Sequence, residues 1–267
     1  MPAEVTVWFV RLFFSRRWIL FAVTVVLMSY GALWLGEWQF HRLDERKARN
    51  IVTTHNLKAD PVPVDRILGV GQPVDARHEW LRVTATGRYV EAATVLVRYQ
   101  TRDGQSGVDV VTPLRTEAGP GLLVDRGWMQ TANSGAARAD VPAAPRGQVT
   151  VVGWVRADAV GDATTVTDGS TRAISSEAIG AGLPFPVYSG FVDAATETPP
   201  PAEPLVRAEL PDLSNGPHFF YGLQWWFFGA LAVFGFFYLA WDERRKKLRA
   251  AAEPEDATVE APPQVIT

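Results

Sequence analysis

The 267-residue chain has no cysteine. That excludes a disulfide framework, a thiolate copper or zinc site, covalent attachment of a c-type haem and a cysteine nucleophile. Histidine is scarce as well: His41, His55, His78 and His218 are all there is. No two of them stand at i,i+3 or i,i+4 spacing, so no single helix offers a histidine metal site. Excess charge is also missing, because a formal net charge of −3 is too small to imply a nucleic-acid or polyanion partner. Gly69-Val-Gly71 is an isolated fragment rather than a phosphate-cradling loop, and no Gly-x-Ser-x-Gly element occurs. Nothing here suggests a catalytic set, and the chain reads as a non-enzyme.

What the chain does have is two long apolar runs near its ends. From Phe219 to Trp241 there is no charged residue. At ~1.5 Å rise per residue, these roughly 23 residues cover a ~30 Å hydrocarbon core. The run from Trp18 to Gly36, about nineteen residues, is also long enough to span. Glu37-Trp38-Gln39 follows it where a secretory signal would have a small-residue cleavage site, so the run reads as a retained anchor. Trp18, Trp34 and Trp38 lie near its two ends, where amphipathic rings favour the membrane interface. Arg11, Arg16 and Arg17 precede the first run, and Arg244, Arg245, Lys246, Lys247 and Arg249 follow the second. Around the inner ends Arg42, Arg46, Lys47 and Arg49 are interleaved with Asp44 and Glu45. The balance predicts both termini in the cytoplasm and the central part of the chain outside.

The polar sequence after Glu37 stays compatible with helix, with Gly31, Leu35, Trp38 and Arg42 on one face, until Pro61 and Pro63 end it. From Glu79 the period changes. Trp80–Val90, Thr94–Thr101, Gly107–Thr116, Gly121–Met129 and Gln148–Arg156 read as strands, with Val187–Asp193 closing the set and a short helix over Ile174–Ile179. Arg102-Asp-Gly104 and Glu117-Ala-Gly-Pro120 are turn signals between neighbours, which predicts an antiparallel meander. Asp125-Arg-Gly127 reads as another turn at the end of a strand, and Trp128 and Trp154 are expected to be largely buried. Thr198–Pro204 holds four prolines and reads as a stiff connector back to the membrane. The expected fold is therefore a membrane protein in which two transmembrane helices flank an extracytoplasmic, mainly antiparallel β domain, a barrel or a sandwich. Its divisions are a cytoplasmic head over 1–17, a first span over 18–38 and a helical extension over 39–60. Then come the β domain and connector over 61–205, re-approach to the membrane over 206–217, a second span over 218–241, and a basic flank with a disordered tail over 242–267.

Ser214-Asn-Gly-Pro-His218 opens the second run with residue types that cap and start helices. His218 therefore stands at the membrane surface, and Tyr221, Gly222, Trp225 and Gly229 follow on its face. A neutral imidazole there can ligate a haem iron, with the porphyrin against Tyr221 and Trp225. An interfacial histidine that only caps the helix or bonds lipid head groups fits the same position. The two glycines equally suit a helix-packing seam. Arg42, one turn beyond Trp38, matches a haem propionate through its planar fork, or snorkels to lipid phosphate.

Several of these features recur in order. Leu35-Gly-Glu-Trp-Gln-Phe-His-Arg-Leu-Asp-Glu-Arg-Lys47 leaves the first span. Thr86-Gly-Arg-Tyr89, Val95-Leu-Val-Arg98, Val110-Val-Thr-Pro-Leu114 and Leu123-Val-Asp-Arg-Gly-Trp128 come next. Gly216-Pro-His218, Tyr221 and Gln224-Trp225 open the second span. This ordered set, over about residues 10–245, resembles the surfeit-locus (Shy) family of cytochrome c oxidase assembly proteins. The resemblance implies a two-span protein that assists maturation of haem–copper oxidases by receiving haem a and helping it reach the catalytic subunit. It implies haem a binding at His218, the candidate iron ligand; Tyr221, Trp225, Trp38 and Arg42, read from their positions, are the further candidate residues of that site. The implied partners are the oxidase catalytic subunit or a respiratory supercomplex, the haem a synthesis machinery and the bilayer. The chain carries Gly-Pro before the histidine where the mitochondrial pattern has Asn, and no transit peptide is read at its start, which together imply a bacterial plasma-membrane protein. A stably bound accessory subunit of the oxidase or supercomplex is the alternative.

Overall fold

The computed structural model describes residues 15–132 and 140–252. Most of the expected head over 1–17, and the expected disordered tail around Glu255, lie outside the described residues. Two compact units emerge. One takes the chain up to Lys47 and from Ser214 onward, and the other is Ala48–Leu213.

The first unit is built on α1 (Arg16–Lys58) as far as Lys47 and on the helix at the other end of the chain, His218–Ala252. Each contains a stretch long and apolar enough to cross a membrane. Their apolar side chains are not packed away: Leu20, Leu27, Phe227 and Phe234 each stay more than 60% exposed. A core helix of a soluble domain would bury such residues, so the pair reads as membrane-anchoring. The helices run antiparallel and meet through aromatic contacts. Phe40 lies 4.9 Å from Trp226 between ring centroids, and Phe236 lies 5.7 Å from Trp18 and 5.4 Å from Phe21. Along this seam the helices approach closely at glycine. A Cβ on Gly222 would sit 2.8–3.0 Å from the Phe40 ring, and one on Gly229 would sit 3.3 Å from Ala32 Cβ. These two glycines thus serve the helix seam.

The second unit is a single sheet of eight strands: β1 (Val62–Pro63), β2 (Arg82–Tyr89), β3 (Val95–Arg102), β4 (Gln105–Thr116), β5 (Gly121–Gln130), β6 (Val149–Arg156), β7 (Ser170–Thr171) and β8 (Val187–Thr198). A five-residue helix, α2 (Ser176–Gly180), precedes β8, and the long C-terminal helix is α3. The order is β1-β2-β6-β8-β5-β4-β3-β7, with a further pairing of β2 to β4. A circuit of ladders therefore leads from β2 through β6, β8, β5 and β4 back to β2. Inside it pack Val83, Leu114, Leu122, Val124, Val149, Val151, Val155 and Val192, all at most 1% exposed. A second cluster, which includes Val97, Val111, Leu123 and Phe191, is covered by Ile174 and Ile179 from the segment between β6 and β8.

The expected antiparallel meander is corrected in one respect. The sheet is mixed, because β5 pairs with β8, β1 with β2 and β3 with β7 in parallel. The β3–β4 hairpin does turn at Asp103 and Gly104, whose φ of 50° and 75° are those of a tight two-residue turn. Asp125-Arg-Gly127, in contrast, is not a turn. β5 runs through it as a bulge opposite Val110, with Gly127 at φ 129° donating its N–H to Asp125 Oδ1 at 2.9 Å. A side chain at Gly127 would collide with Val206 and Leu205. Trp128 is 7% exposed and donates its indole N–H to Gln100 O at 2.9 Å. Trp154 is only half-buried, since the alternation of β6 turns residues 149, 151, 153 and 155 inward and leaves it on the other face.

Candidate functional site

His218 is the first residue of α3. The helix is opened by Gly216 at φ 65° and by the Pro217 carbonyl, which accepts from Tyr221 N at 3.1 Å. Arg46 Nε donates to Ser214 O at 2.6 Å and so holds the turn ahead of the helix. The His218 ring is half-buried, and its Nδ1 lies 2.8 Å from Gln39 Oε1 on α1. With Gln39 Oε1 as the acceptor, the ring donates from Nδ1. In the neutral ring Nε2 is then a bare lone pair, which is the form an imidazole needs to ligate a metal. Tyr221, 48% exposed, and half-buried Trp225 follow on the same face, while Gly222 between them is filled by Phe40. The stripe thus divides into an aromatic side that is open and a glycine side that is closed by α1.

Trp38 and Arg42 lie elsewhere on α1. At about 100° per residue, Trp38 is some 200° round the helix from Gly36, the position that meets Trp226. The Arg42 guanidinium sits 5.5 Å over the Trp38 ring and ion-pairs with Glu45 at 3.0 Å. The structure therefore brings His218, Tyr221 and Trp225 together, and makes Trp38 and Arg42 a separate pair. Gln39, which bonds His218 at the start of α3, and Arg46, which bonds the turn before it, were not singled out from the sequence as site residues. The sequence signal for Gln39 is a lone amide on the glycine-bearing face of a span, one turn after Gly36.

The donor set suits a haem in one respect: it offers a single imidazole with its free nitrogen fixed by a second residue and a flanking tyrosine and tryptophan. The glycines are not available to cradle a macrocycle. Among the described residues no group of three His, Cys, Asp or Glu could hold a metal ion.

The model of the SURF1 family matches residues 26–230. The chain belongs to the SURF1 family. It is similar over nearly its whole length to SURF1-like proteins of Mycobacterium bovis and Mycobacterium tuberculosis, at 28% identity over 256 residues, 92% of this chain and 93% of theirs. A SURF1-like protein of Dictyostelium discoideum is 28% identical over 102 residues, 36% of this chain and 38% of that one. The SURF1 family generally serves cytochrome oxidase assembly.

The sheet domain of this SURF1-family chain carries a second polar group that strand patterning did not flag. Asp109 on β4, Asp125 on β5 and Asp193 on β8 are all buried, and Asp125 stands directly across the ladder from Asp193. Arg102 Nη2 pairs with Asp109 and Arg156 Nη1 with Asp193, each at 2.8 Å. Burial pushes Asp109 up to about 6 despite Arg102. Burial, then the Asp109 and Asp193 carboxylates, hold Asp125 well above the usual range, and burial raises Asp193 against the pull of Arg156. Their folded-state values lie above the unfolded ones, so this contribution to stability is full below about pH 4 and is lost as pH rises through about 6 and beyond. Thermal unfolding of the full chain in detergent should show a higher midpoint at about pH 5 than at about pH 8, and Asp125→Asn should flatten that slope. A midpoint that rises with pH over this window would contradict the assignment.

Proposed function

We propose that this protein is an assembly factor for haem–copper cytochrome c oxidase that receives haem a at His218 and hands it toward the catalytic subunit. The observation that carries the reading is the Gln39–His218 hydrogen bond at 2.8 Å, which leaves His218 Nε2 free as a ligand atom. Family membership supplies the process, and the two apolar helices supply the setting. His218 would hold the iron, and Tyr221 and Trp225 would lie along the macrocycle. When bound, haem a supplies the redox-active iron that the finished oxidase uses. Gln39 fixes the tautomer and the ring plane, and Arg46 keeps the turn before α3 in place. One protein ligand holds loosely, which suits a carrier that must release its cargo. In this reading both termini are cytoplasmic, the sheet domain is outside a bacterial plasma membrane, and the protein is a chaperone with no chemistry of its own.

The test is the visible spectrum of protein purified from cells that make haem a. His218→Ala should remove most of the haem absorption without lowering abundance, because α3 stays apolar. Gln39→Leu should weaken haem binding by about 10-fold to 100-fold, as loss of a partner behind a ligating histidine does. Phe219→Ala, about 100° away round the helix, should change little. A normal spectrum in His218→Ala would rule out the ligand role. Co-purification in equal amount with finished oxidase would favour the accessory-subunit alternative over a transient factor.

A further inference from the structure

A cavity of about 650 Å³ lies over β3, β4, β5 and β8, bounded on its other side by residues 157–159 and 172–174. Its charges do not balance. Glu79, Asp109, Asp125, Asp158, Asp193 and Glu209 line it against Arg102, Arg156 and Arg172. Two of the three arginines, Arg102 and Arg156, are already ion-paired with these acids, and Arg172 is exposed. Each lies over an aromatic ring: Arg102 5.8 Å from the Trp128 centroid, Arg156 4.0 Å from Trp80 and Arg172 5.6 Å from Tyr99. Arg102 also bonds Asp109 and Arg207 O, and Arg156 bonds Asp193 and reaches Glu79. Stacking and pairing fix these guanidinium planes to the wall. Asp158 is likewise spoken for by the N–H groups of Ser176 and Gly190.

Asp125 differs from the others. It is 4% exposed and lines the cavity, yet among the described residues it has no ion-pair partner. One carboxylate oxygen accepts from Gly127 N, and the other has no hydrogen bond. A buried carboxyl aimed into a cavity with surplus acid is a place prepared for a positive group. A metal ion does not fit, because no group of carboxylates among the described residues is close enough to hold one. The volume suits something larger.

We propose that this cavity binds an organic cation through a guanidinium or ammonium head seated against Asp125. The side chains of Arg102, Arg156 and Phe191 form its sides, and exposed Glu209 also lines it. A proton is the competing occupant. Asp125, pushed up by burial and by Asp109 and Asp193, sheds its proton to solvent as the cation enters, so binding and proton release are linked. The head group can belong to a free amine or to an arginine or lysine side chain of a partner protein, and the test separates these sources.

The experiment is titration calorimetry on the full chain in detergent at about pH 7, with methylguanidinium and with N-acetyl-arginine amide, in two buffers of different ionisation enthalpy. The expected result is saturable binding at one site with release of protons. Binding of both probes, or of methylguanidinium alone, points to a free cation, whereas binding of N-acetyl-arginine amide alone points to a partner's side chain. Asp125→Asn, which keeps an acceptor for Gly127 N–H, should weaken binding at least about tenfold. Unaltered protein at about pH 5 should bind more weakly too, which tests the site without any substitution. No saturable heat with either probe, or equal affinity in Asp125→Asn and at low pH, would overturn the proposal.

Discussion

Glu197→Ala is expected to lower the stability of the sheet domain by about 3–5 kcal/mol, because it strands a buried arginine. The Glu197 side chain is 1% exposed and that of Arg126 is 2% exposed, with Arg126 Nε 3.5 Å from Glu197 Oε1. Arg207 Nη2 reaches Glu197 Oε2 at 3.0 Å, and the Tyr89 hydroxyl donates to Oε1 at 2.7 Å. Arg126 further donates to Pro142 O at 3.1 Å and to Ala143 O at 3.0 Å, and sits 5.6 Å over the Tyr89 ring. One carboxylate thus ties β2, β5, β8, the segment before β6 and the chain after β8. Its removal leaves Arg126 charged with no counter-charge, and Arg126 Nε already makes no hydrogen bond. Glu197→Gln keeps an acceptor for Tyr89 but loses the charge, so it should cost less than alanine and still more than a surface substitution. Urea unfolding of the full chain in detergent measures the difference, with Glu117→Ala, at an exposed turn, as the reference. A loss of under about 1 kcal/mol for Glu197→Ala would show that the network contributes no more than an exposed pair.

That network also marks the limit of what the sequence discloses. Tyr89 and Arg126 stand in runs that the sequence reading had picked out, Thr-Gly-Arg-Tyr and Asp-Arg-Gly-Trp. The turn reading of Asp125-Arg-Gly127 would put Arg126 at the surface, whereas its side chain is 2% exposed in the interior. The strands themselves were legible because alternation is local. β6 buries every second residue, and β3 and β4 are separated by a two-residue turn whose composition names it. The partners of strands were not. β8 lies between β6 and β5, parallel to the latter, and nothing in either segment encodes that choice. The same holds for the site. His218 announced itself through Gly-Pro-His at the head of an apolar run. Gln39 is separated from it by 179 positions, and no period connects them. Asp109 and Asp193 are visible in the sequence only as charges within strands and Asp125 only as part of a turn signal, with nothing to say that they line one cavity.

The glycines of the helix pair yield the second large effect, and they separate packing from ligation. Gly222→Leu is expected to force α1 and α3 apart. The new Cβ alone would meet three atoms of the Phe40 ring at 2.8, 2.9 and 3.0 Å, and Phe40 cannot yield freely, because Trp226 and Phe219 flank it at 4.9 and 6.2 Å. Overpacking of this kind costs about 1–3 kcal/mol or more. Gly36→Leu should do the same from the other side, since its Cβ would enter the Trp226 ring and stand 3.2 Å from Gly222 O. Gly235→Leu is the matched control on the same helix, because a Cβ there meets nothing within 4 Å. Gly222 is one turn beyond His218, and Phe40 is the neighbour of Gln39, so a displaced seam also breaks the Gln39–His218 bond. Gly222→Leu and Gly36→Leu should therefore lower the thermal midpoint of the detergent-solubilised protein and its haem content together. His218→Ala should lower haem content alone, and Gly235→Leu should lower neither. If Gly222→Leu leaves both quantities at the level of Gly235→Leu, the close helix contact is not a feature of the protein in the membrane, and the positioning of His218 by α1 fails with it.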